Sequence, residues 1–471
     1  MDDRTTETNL EPFGHESGSS KIERVWDNVP LGASINRSRS CNYDSTSGLF
    51  YSPIEYSFEA IGSKIPSLES LQIEKLFRSF VKGEFGNTQH KVTPPRLPKV
   101  VATKVAPPDF TTRYLEKCEK SLVYSDYVKA VSEVSGESLS KSIDLLLSHP
   151  EIGNKSNERN IDHDELNRVV EKKNDTADRL VFILPAFPFK DQNYFRTGSA
   201  LPHHFDMGEI ALLARLHSLS IAIYQLHPFG ADWIVASDGV LYSDIFGIEP
   251  TSAQKYFNRL KSVRTYLNIQ GTVSILDLKD IINQFSQGTA DTTYHKLRQS
   301  VADRIEELVD GGSEEFKLAF HVLMRGMRQN LPNHHLVEQL GAERAWNVIM
   351  DDSLGNLDDN ERLARAEIDE LARAAAISYA SENILLKCTD LLNQMFPEAL
   401  RATVHPKKGQ IAVPQLGSCF PWNGVALIED HQTLTPESVR VLRFHEIGRK
   451  HPDLIAHKDL ESDSVLFYSP A

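Results

Sequence analysis

The chain has 471 residues, of which 40% are hydrophobic and 25% are charged, as in an ordinary globular protein. It carries 51 lysine and arginine residues against 65 aspartate and glutamate residues, so its net charge is −14. A surface this acidic repels phosphate backbones, which excludes nucleic acid as a partner, although a few convergent basic side chains can still bind a small anion. The length exceeds what one hydrophobic core usually fills, so more than one packed unit is expected.

The sequence also predicts the compartment. Four cysteines are scattered without short spacings, as in proteins of a reducing compartment. The first residues lack the basic-then-apolar layout of a signal peptide. The most apolar stretch, residues 210–224, is interrupted by Arg215 and His217 and is too short to cross a bilayer. We therefore expect a cytoplasmic protein that does not enter a membrane.

The first part of the chain, residues 1–105, is predicted to be an N-terminal extension that is partly disordered. Its first fifty or so residues are rich in small polar types and offer few apolar side chains to bury. One or two helices are expected within residues 57–85, and the proline-containing run at 93–99 is expected to be an extended linker. The folded unit is expected to begin near Asp109.

Residues 106–300 alternate between helix and strand patterns, which predicts an open, doubly wound α/β sheet. The clearest strand is the continuous apolar run at 180–184, which is typical of a strand buried on both faces. The other predicted elements are helical segments within 111–148 and 151–178, a helix at 206–219, strands at 221–224, 233–236 and 272–276, and a helix opened by a capping box at Thr251 and Gln254.

Residues 301–471 are predicted to be mostly helical as far as Phe396, because apolar residues there recur at helical spacing. A last α/β piece follows. Its predicted elements are strands at 402–404, 410–413 and 425–427, and a helix with Thr435 as N-cap, Pro436 at its first position and Gly448 at its end.

One pattern favours a metal site. His204 and Asp206 have the His-x-Asp spacing of iron and 2-oxoglutarate oxygenases, and His405 could supply the remote third ligand. Those enzymes are built on an all-β jelly roll, whereas this chain has an α/β pattern. The iron oxygenase is kept as an alternative.

Two acidic motifs have a structural interpretation beside the functional one. Asp206 and Glu209 have the spacing of a capping box at the start of a helix, where their carboxylates satisfy backbone N–H groups. Asp238 and Gly239 are typical of a tight turn after a strand.

The stretch Leu-Pro-Ala-Phe-Pro-Phe-Lys190 follows the strand at 180–184. Ligands of open α/β sheets bind beyond the carboxyl ends of the strands, which is where this stretch is expected. Its two prolines restrict the backbone and would hold Phe187 and Phe189 as rigid walls. Lys190 would add a mobile charge for an anion or a carbonyl group. A buried loop with a solvated lysine is the alternative interpretation.

The order of these motifs resembles the isocyanide synthases of the pyoverdine/dityrosine biosynthesis family. The resemblance is dense over residues 178–262 and 395–428 and does not reach the first hundred residues. The motifs that carry it are Leu-Pro-Ala-Phe-Pro-Phe-Lys190, Asn193, Gly198, Leu201-Pro202, Asp206 and Glu209 with Ala211-Leu212, Tyr224, Gly230-Ala231, Ser237-Asp-Gly239 with Asp244, Phe396-Pro397, Arg401-Ala-Thr-Val-His-Pro406, and Pro421-Trp422.

The resemblance implies a Rossmann-like open sheet with a large helical portion and a C-terminal α/β piece. It also implies a reaction between the α-amine of an amino acid and ribulose 5-phosphate, whose ketone carbon becomes the isocyanide carbon. Neither a redox cofactor nor a metal is expected. The partners would be these two small molecules and downstream biosynthetic enzymes.

Such chemistry needs clamps for a phosphate and a carboxylate, and groups that move protons during imine formation and elimination. The candidate catalytic residues are Lys190, Glu209, Asp238 and His405, and the candidate substrate-binding residues are Phe187, Phe189, Arg196, Asp206, Asp244 and Arg401. We expect Lys190→Met to abolish turnover and to leave the fold intact.

Three positions depart from the family pattern. Arg196 stands where members usually have lysine, the usual Leu-Pro-Asp run is extended to Leu201-Pro-His-His-Phe-Asp206, and Asn423 replaces a histidine that often follows Pro-Trp. A changed substrate is one interpretation, and a non-catalytic member of the family is another. Formation of an N-formyl amino acid is a further alternative.

Overall fold

The computed structural model describes residues 43–44, 49–50, 72–85, 96–119, 128–129, 131–133, 138–149, 153–198, 201–285, 291–350, 357–405, 407–432, 434–459 and 464–471. Residues 93–95 of the predicted linker and much of the predicted N-terminal extension lie outside these residues, and Lys99, the last linker residue, is the first residue of a strand. Within them, no helix is both long enough and apolar enough to span a bilayer.

The strands of the described residues are β1 (Tyr43–Asp44), β2 (Leu49–Phe50), β3 (Lys99–Val105), β4 (Leu180–Ala186), β5 (Ala231–Ser237), β6 (Val273–Asp277), β7 (Leu400–Thr403), β8 (Ile411–Ala412), β9 (Val425–Leu427), β10 (Arg440–Leu442), β11 (Asp453–Lys458) and β12 (Val465–Pro470). The helices are α1 (Ile73–Phe85), α2 (Phe110–Glu119), α3 (Leu139–Ser148), α4 (Asn157–Asn160), α5 (His163–Asp175), α6 (Tyr194–Thr197), α7 (Met207–Leu226), α8 (Gly239–Tyr242), α9 (Pro250–Tyr266), α10 (Leu278–Phe285), α11 (Asp291–Gly311), α12 (Glu314–Arg328), α13 (His334–Leu340), α14 (Ala342–Met350), α15 (Asp359–Thr389), α16 (Leu391–Met395) and α17 (Phe444–Lys450).

A five-stranded parallel sheet in the order β6-β5-β4-β7-β8 forms the centre of the fold. The three strands β4, β5 and β6 end level with one another, because Ser237 is in register with Ala186 on one side and with Asp277 on the other. The α/β class and the strands predicted at 180–184, 233–236 and 272–276 are confirmed. The carboxyl ends of these three strands therefore bring the residues that follow them to one edge.

A second, mixed sheet has the order β10-β9-β12-β11-β3, so β3 joins the strands formed by the last part of the chain. β3 pairs in parallel with β11, from Lys99 beside Asp453 to Val105 beside Lys458. A Cβ at Gly448 would lie 2.0 Å from the carbonyl oxygen of Arg96, so only glycine lets the segment before β3 pack against α17. The boundary suggested near residue 105 therefore does not separate the folded unit from an extension.

The helical portion between β6 and β7 agrees with the helices predicted up to Phe396. Helix α1, which also falls inside the predicted extension, packs on it. The rings of Phe77 and Phe316 lie 4.5 Å apart, and both side chains are fully buried. The helix expected within 57–85 is thus present as α1, and it contributes to the main hydrophobic core.

Two predicted elements are wrong, and a third begins elsewhere. Residues 221–224 lie in the last turns of α7 and do not form a strand. The helix predicted at 206–219 continues to Leu226, and burial on nearly every side makes its end a continuous apolar run that resembles a buried strand. Helix α9 begins at Pro250 with Glu249 as N-cap, and not at Thr251. The helix expected at 436–448 is replaced by a turn at Thr435, by β10 and then by α17.

Candidate active site

The loop after β4 is interlocked with the turn after β5. Phe187 has a φ of 61°, a left-handed conformation that is rare for a bulky residue. Its carbonyl oxygen accepts a hydrogen bond of 2.8 Å from the buried Ser237 hydroxyl. A Cβ at Gly239 would lie 1.4 Å from the carbonyl oxygen of Pro188, so the two backbones meet only because residue 239 is glycine. This contact fixes Asp238 at the edge of the sheet.

Lys190 is not the mobile charge that the sequence predicts. Its ammonium is buried and donates to Asp206 Oδ2 at 2.9 Å, to Glu209 Oε1 and Oε2 at 3.1 and 3.2 Å, and to the carbonyl oxygen of Pro421 at 2.9 Å. Burial alone would lower the pKa of Lys190, but the nearby carboxylates of Asp206 and Glu209 outweigh it and raise the pKa above its usual value. Its charge is engaged within the protein.

Asp206 and Glu209 form the predicted capping box of α7, which is confirmed. Asp206 Oδ1 accepts from the Gly208 N–H at 2.7 Å, and Glu209 Oε2 accepts from the Asp206 N–H at 3.0 Å. The same side chains bind Lys190, so capping and ion pairing coexist. Burial raises the pKa of Glu209 to about 8; Lys190 opposes the shift and Asp206 adds to it.

Two further contacts close the cluster around Lys190. The Tyr256 hydroxyl of α9 donates to Glu209 Oε1 at 3.3 Å, and the Ala426 N–H of β9 donates to Asp206 Oδ2 at 3.2 Å. The cluster therefore connects the parallel sheet to the second sheet. Tyr256 was not among the predicted site residues, because in the sequence it is only one of the apolar positions of its helix.

Asp238 has a buried carboxylate oxygen, Oδ1, with no hydrogen-bond partner among the described residues, although the residue as a whole is partly exposed. Burial raises the pKa of Asp238 to about 7; its own backbone N–H opposes the shift, and the neighbouring Asp277 adds to it. Burial likewise raises the pKa of Asp277 to about 6. Asp277 was expected only as an N-cap, and its Oδ1 does accept from the Lys279 N–H at 2.9 Å.

Aromatic rings form a wall beside this edge. Phe187 contacts Trp422 with ring centroids 5.0 Å apart, and Trp422 stacks on Phe420 at 5.3 Å. The ring of His405, an exposed residue, lies 6.4 Å from Phe420. On the other side, Phe189 meets Phe246 edge to face at 5.9 Å. The structure thus links Phe187 to His405 through two rings.

The three remaining predicted site residues differ in burial and in pairing. Arg196 donates to Asp191 Oδ2 at 2.6 Å and also binds Asn330, so its charge is paired, and Asp244 is exposed. Arg401 lies in β7 beside Ile183, and its buried Nη1 has no hydrogen-bond partner among the residues that the structure describes. Burial lowers the pKa of Arg401 to about 10, and Asp390 partly opposes the shift.

The geometry opposes the alternative iron site. His204 Nε2 hydrogen-bonds the carbonyl oxygen of Val465 at 2.6 Å, and both oxygens of Asp206 are engaged as described above. Burial lowers the pKa of His204 to about 4, and the charge of Lys190 contributes. Within the described ranges, no group of three or more His, Cys, Asp or Glu residues is placed to hold a metal ion.

The fold and these residues define an α/β protein with buried ionisable groups at the carboxyl edge of a parallel sheet. The sequence model of the family described as "Pyoverdine/dityrosine biosynthesis protein" matches residues 170–446, and the chain belongs to this family. The match contains all of the predicted site residues.

Named relatives include isonitrile synthases. An L-tryptophan isonitrile synthase of Fischerella ambigua is 25% identical over 292 residues, covering 60% of this chain and 80% of the relative. An L-tyrosine isonitrile synthase of Xenorhabdus nematophila is 26% identical, covering 52% of this chain and 67% of the relative. The spore wall maturation protein DIT1 of Saccharomyces cerevisiae is 23% identical, covering 48% and 42%.

Among solved structures, the PvcA protein of Pseudomonas aeruginosa superposes with a TM-score of 0.46 at 16% identity, covering 77% of this chain and 100% of that chain.

Proposed function

We propose that this protein is an isocyanide synthase of natural-product biosynthesis, which converts the α-amine of an amino acid to an isocyanide with ribulose 5-phosphate as carbon donor. The observation that carries the proposal is the family match over residues 170–446, which spans the whole candidate site. The isonitrile synthases among the relatives, named for tryptophan and tyrosine, support an amino acid as substrate.

The buried carboxyl groups suit the proton transfers of this reaction. An amine must lose a proton before it attacks a ketone. The resulting imine keeps its C–N bond, and the rest of the sugar leaves the former ketone carbon in elimination steps that need an acid or a base. General acid–base catalysis works best with a pKa near the operating pH. The pKa values of Asp238, about 7, and of Glu209, about 8, lie in that range.

The sugar phosphate needs a cation. Lys190 and Arg196 already bind carboxylates of the protein, whereas Nη1 of Arg401 is buried without a hydrogen-bond partner among the described residues. A guanidinium can bind a phosphate through two parallel hydrogen bonds. Of these three cationic side chains, Arg401 is the one that we assign to the phosphate of the substrate.

The product is proposed to pass to downstream biosynthetic enzymes in the cytoplasm. An isocyanide carbon is reactive and needs a further step that modifies or carries it. The scattered cysteines, of which Cys118, Cys388 and Cys419 are free thiols, suit a reducing compartment.

The test is incubation of the purified full chain with single amino acids and ribulose 5-phosphate that carries ¹³C at its ketone carbon. Product masses are read with and without a chelator, and ribose 5-phosphate serves as the control that lacks the ketone. The expected result is a ¹³C-labelled isocyanide from the ketose alone, unaffected by the chelator. An N-formyl amino acid as the first product would support that alternative instead, and the absence of label in any product would overturn the proposal.

A further inference from the structure

Asp238 and Asp277 occupy corresponding places on neighbouring strands of the parallel sheet. Asp277 is the last residue of β6 and is in register with Ser237, the residue before Asp238. The two carboxyl groups interact electrostatically, and Asp277 is buried. Both residues lie at the edge where the loop of Phe187 and Pro188 packs against the end of β5.

The side chain of Asp238 does not cap the helix that follows it. It stands at the N-cap of α8, where an aspartate usually accepts a backbone N–H of the helix, yet its side chain makes no such hydrogen bond. Its Oδ1 is buried and has no partner among the described residues. A buried acceptor of this kind normally has a donor, so the structure leaves one hydrogen-bond position open.

Within the described part of the chain, the groups around Asp238 do not compensate its charge. The ionisable groups that interact with it there are Asp277 at the end of β6, Tyr242 of α8 and Tyr256 of α9, and none of them is positive. Lys190, on the loop that packs against Asp238, gives its hydrogen bonds to Asp206 and Glu209. A buried carboxylate in this setting either keeps a proton or takes a positively charged ligand.

Asp277 has charged neighbours of both signs. Lys279 and Lys261 act on it as positive charges, and Asp280 acts as a negative one. Both tyrosines have a pKa raised well above its usual value by burial, so they stay neutral near pH 7. Asp277 thus has positively charged neighbours, whereas Asp238 has none among the described residues, so a positively charged ligand would interact mainly with Asp238.

We propose that Asp238, with Asp277 beside it, forms the subsite that binds the α-ammonium group of the amino-acid substrate, an assignment that rests on the proposed function. The ammonium donates to the open Oδ1 of Asp238 and balances the charge of the pair. Substrates that lack an amine leave the same oxygen without a donor.

Proton release accompanies this binding. With the pKa of Asp238 raised to about 7, the free protein holds a proton on the carboxyl group at and below that pH. When the ammonium arrives, the carboxyl group gives this proton to solvent and binds as the carboxylate. Binding should therefore strengthen as pH rises through about 7, until the amino acid's own ammonium begins to lose its proton.

Calorimetric titration of the full chain without ribulose 5-phosphate tests the subsite independently of turnover. The proteinogenic L-amino acids are titrated first, and the tightest is compared with its deamino acid, which keeps the carboxylate and the side chain. We expect the amino acid to bind about 10- to 100-fold more tightly, the factor given by a charge-assisted hydrogen bond. Titrations at about pH 6.5 in two buffers of different ionisation enthalpy should show proton release for the amino acid alone.

Three variants test whether Asp238 and Asp277 cause the preference for the amine. Asp238→Asn should remove both the preference for the amine and the proton release, and Asp277→Asn should weaken the preference. Glu249→Gln, a change at an exposed carboxylate that makes no cap hydrogen bond, should leave both unchanged. Unfolding curves of each variant confirm that the fold is retained.

Three results would each overturn the subsite. The first is a deamino acid that binds as tightly as the best amino acid, and the second is the absence of any amino-acid binding. The third is Asp238→Asn with wild-type affinity and proton release. Amino-acid binding with these properties but without isocyanide formation would instead reject the proposed function and leave the ammonium subsite standing.

Discussion

The ammonium of Lys190 lies 2.9 Å from Oδ2 of Asp206, and these side chains are only 1% and 2% exposed. Glu209, whose side chain is fully buried, completes the group at 3.1 Å from the same ammonium. One cation thus holds two carboxyl groups from the start of α7 against the loop after β4. Lys190 therefore stabilises the packing of this loop against the start of α7.

The expectation that Lys190→Met leaves the fold intact follows from a mobile lysine, and the buried cluster overturns it. Methionine would leave two buried carboxyl groups without a cation, so the free energy of unfolding should fall by about 3–5 kcal/mol. Chemical denaturation measures this loss. The matched control is Lys255→Met at an exposed position, which should change stability by no more than about 0.5 kcal/mol. Equal stability of the two variants would contradict the role of the cluster.

The raised pKa of Glu209 makes stability depend on pH. The folded protein keeps a proton on Glu209 up to about pH 8, whereas the unfolded chain loses it near the usual glutamate value of 4.5. The folded state binds more protons between these values, so this contribution to stability falls as pH rises from about 5 to 8. Denaturation curves should show a steeper fall for the wild type than for Glu209→Gln, by up to about 1.4 kcal/mol per pH unit. Parallel curves would show that Glu209 is ionised in the folded protein.

Gly239→Ala should disrupt the junction between the two strand ends. The added Cβ would lie 1.4 Å from the carbonyl oxygen of Pro188, so the loop that carries Phe187 and Phe189 must move. We expect a loss of about 3 kcal/mol or more in unfolding free energy and a loss of turnover. Gly83→Ala, in α1 with nothing within 4 Å of the new Cβ, is the control and should stabilise by about 0.5–1 kcal/mol. Wild-type stability of Gly239→Ala would exclude this close approach.

Truncation tests how far the folded unit extends. A chain that begins at Asp109 lacks α1 and β3, which removes Phe77 from the core and uncovers the edge of β11. Loss of one such buried aromatic ring costs about 3–5 kcal/mol, and an unpaired strand edge promotes association. A chain that begins at residue 72 retains both elements and serves as the matched control in thermal unfolding and light scattering. Similar unfolding temperatures and particle sizes for the two chains would argue against this boundary.

The elements that could be predicted are those whose signal is local. The apolar run that became β4 is buried on both faces, and the capping box of Asp206 and Glu209 lies within four residues. The strand at 221–224 was wrong because Ile221 and Ile223 favour strands locally, while their burial in α7 is set by the surrounding tertiary structure. Local preference does not decide such a segment.

The hydrogen-bond partners and charges of the site residues were less predictable, because they depend on contacts between distant parts of the chain. Lys190 meets the carbonyl oxygen of Pro421, more than two hundred residues away. Asp277 gave only the signal of a helix cap, and its electrostatic contact with Asp238 follows from the register of β5 and β6. β3 is exposed at every position, so it carries no alternating pattern that could have distinguished it from the predicted linker.

The pairing of β3 with β11 affects how this chain can fold while the ribosome synthesises it. Most of the chain separates the two strands, so β3 leaves the ribosome long before its partner has been translated. Until then its backbone N–H and C=O groups on both edges are open to other chains, and Lys99 and Lys104 are the charges that discourage such encounters. Closure of the second sheet must therefore wait until β11 has been translated, and this pairing between distant segments is expected to be a late and slow step of folding.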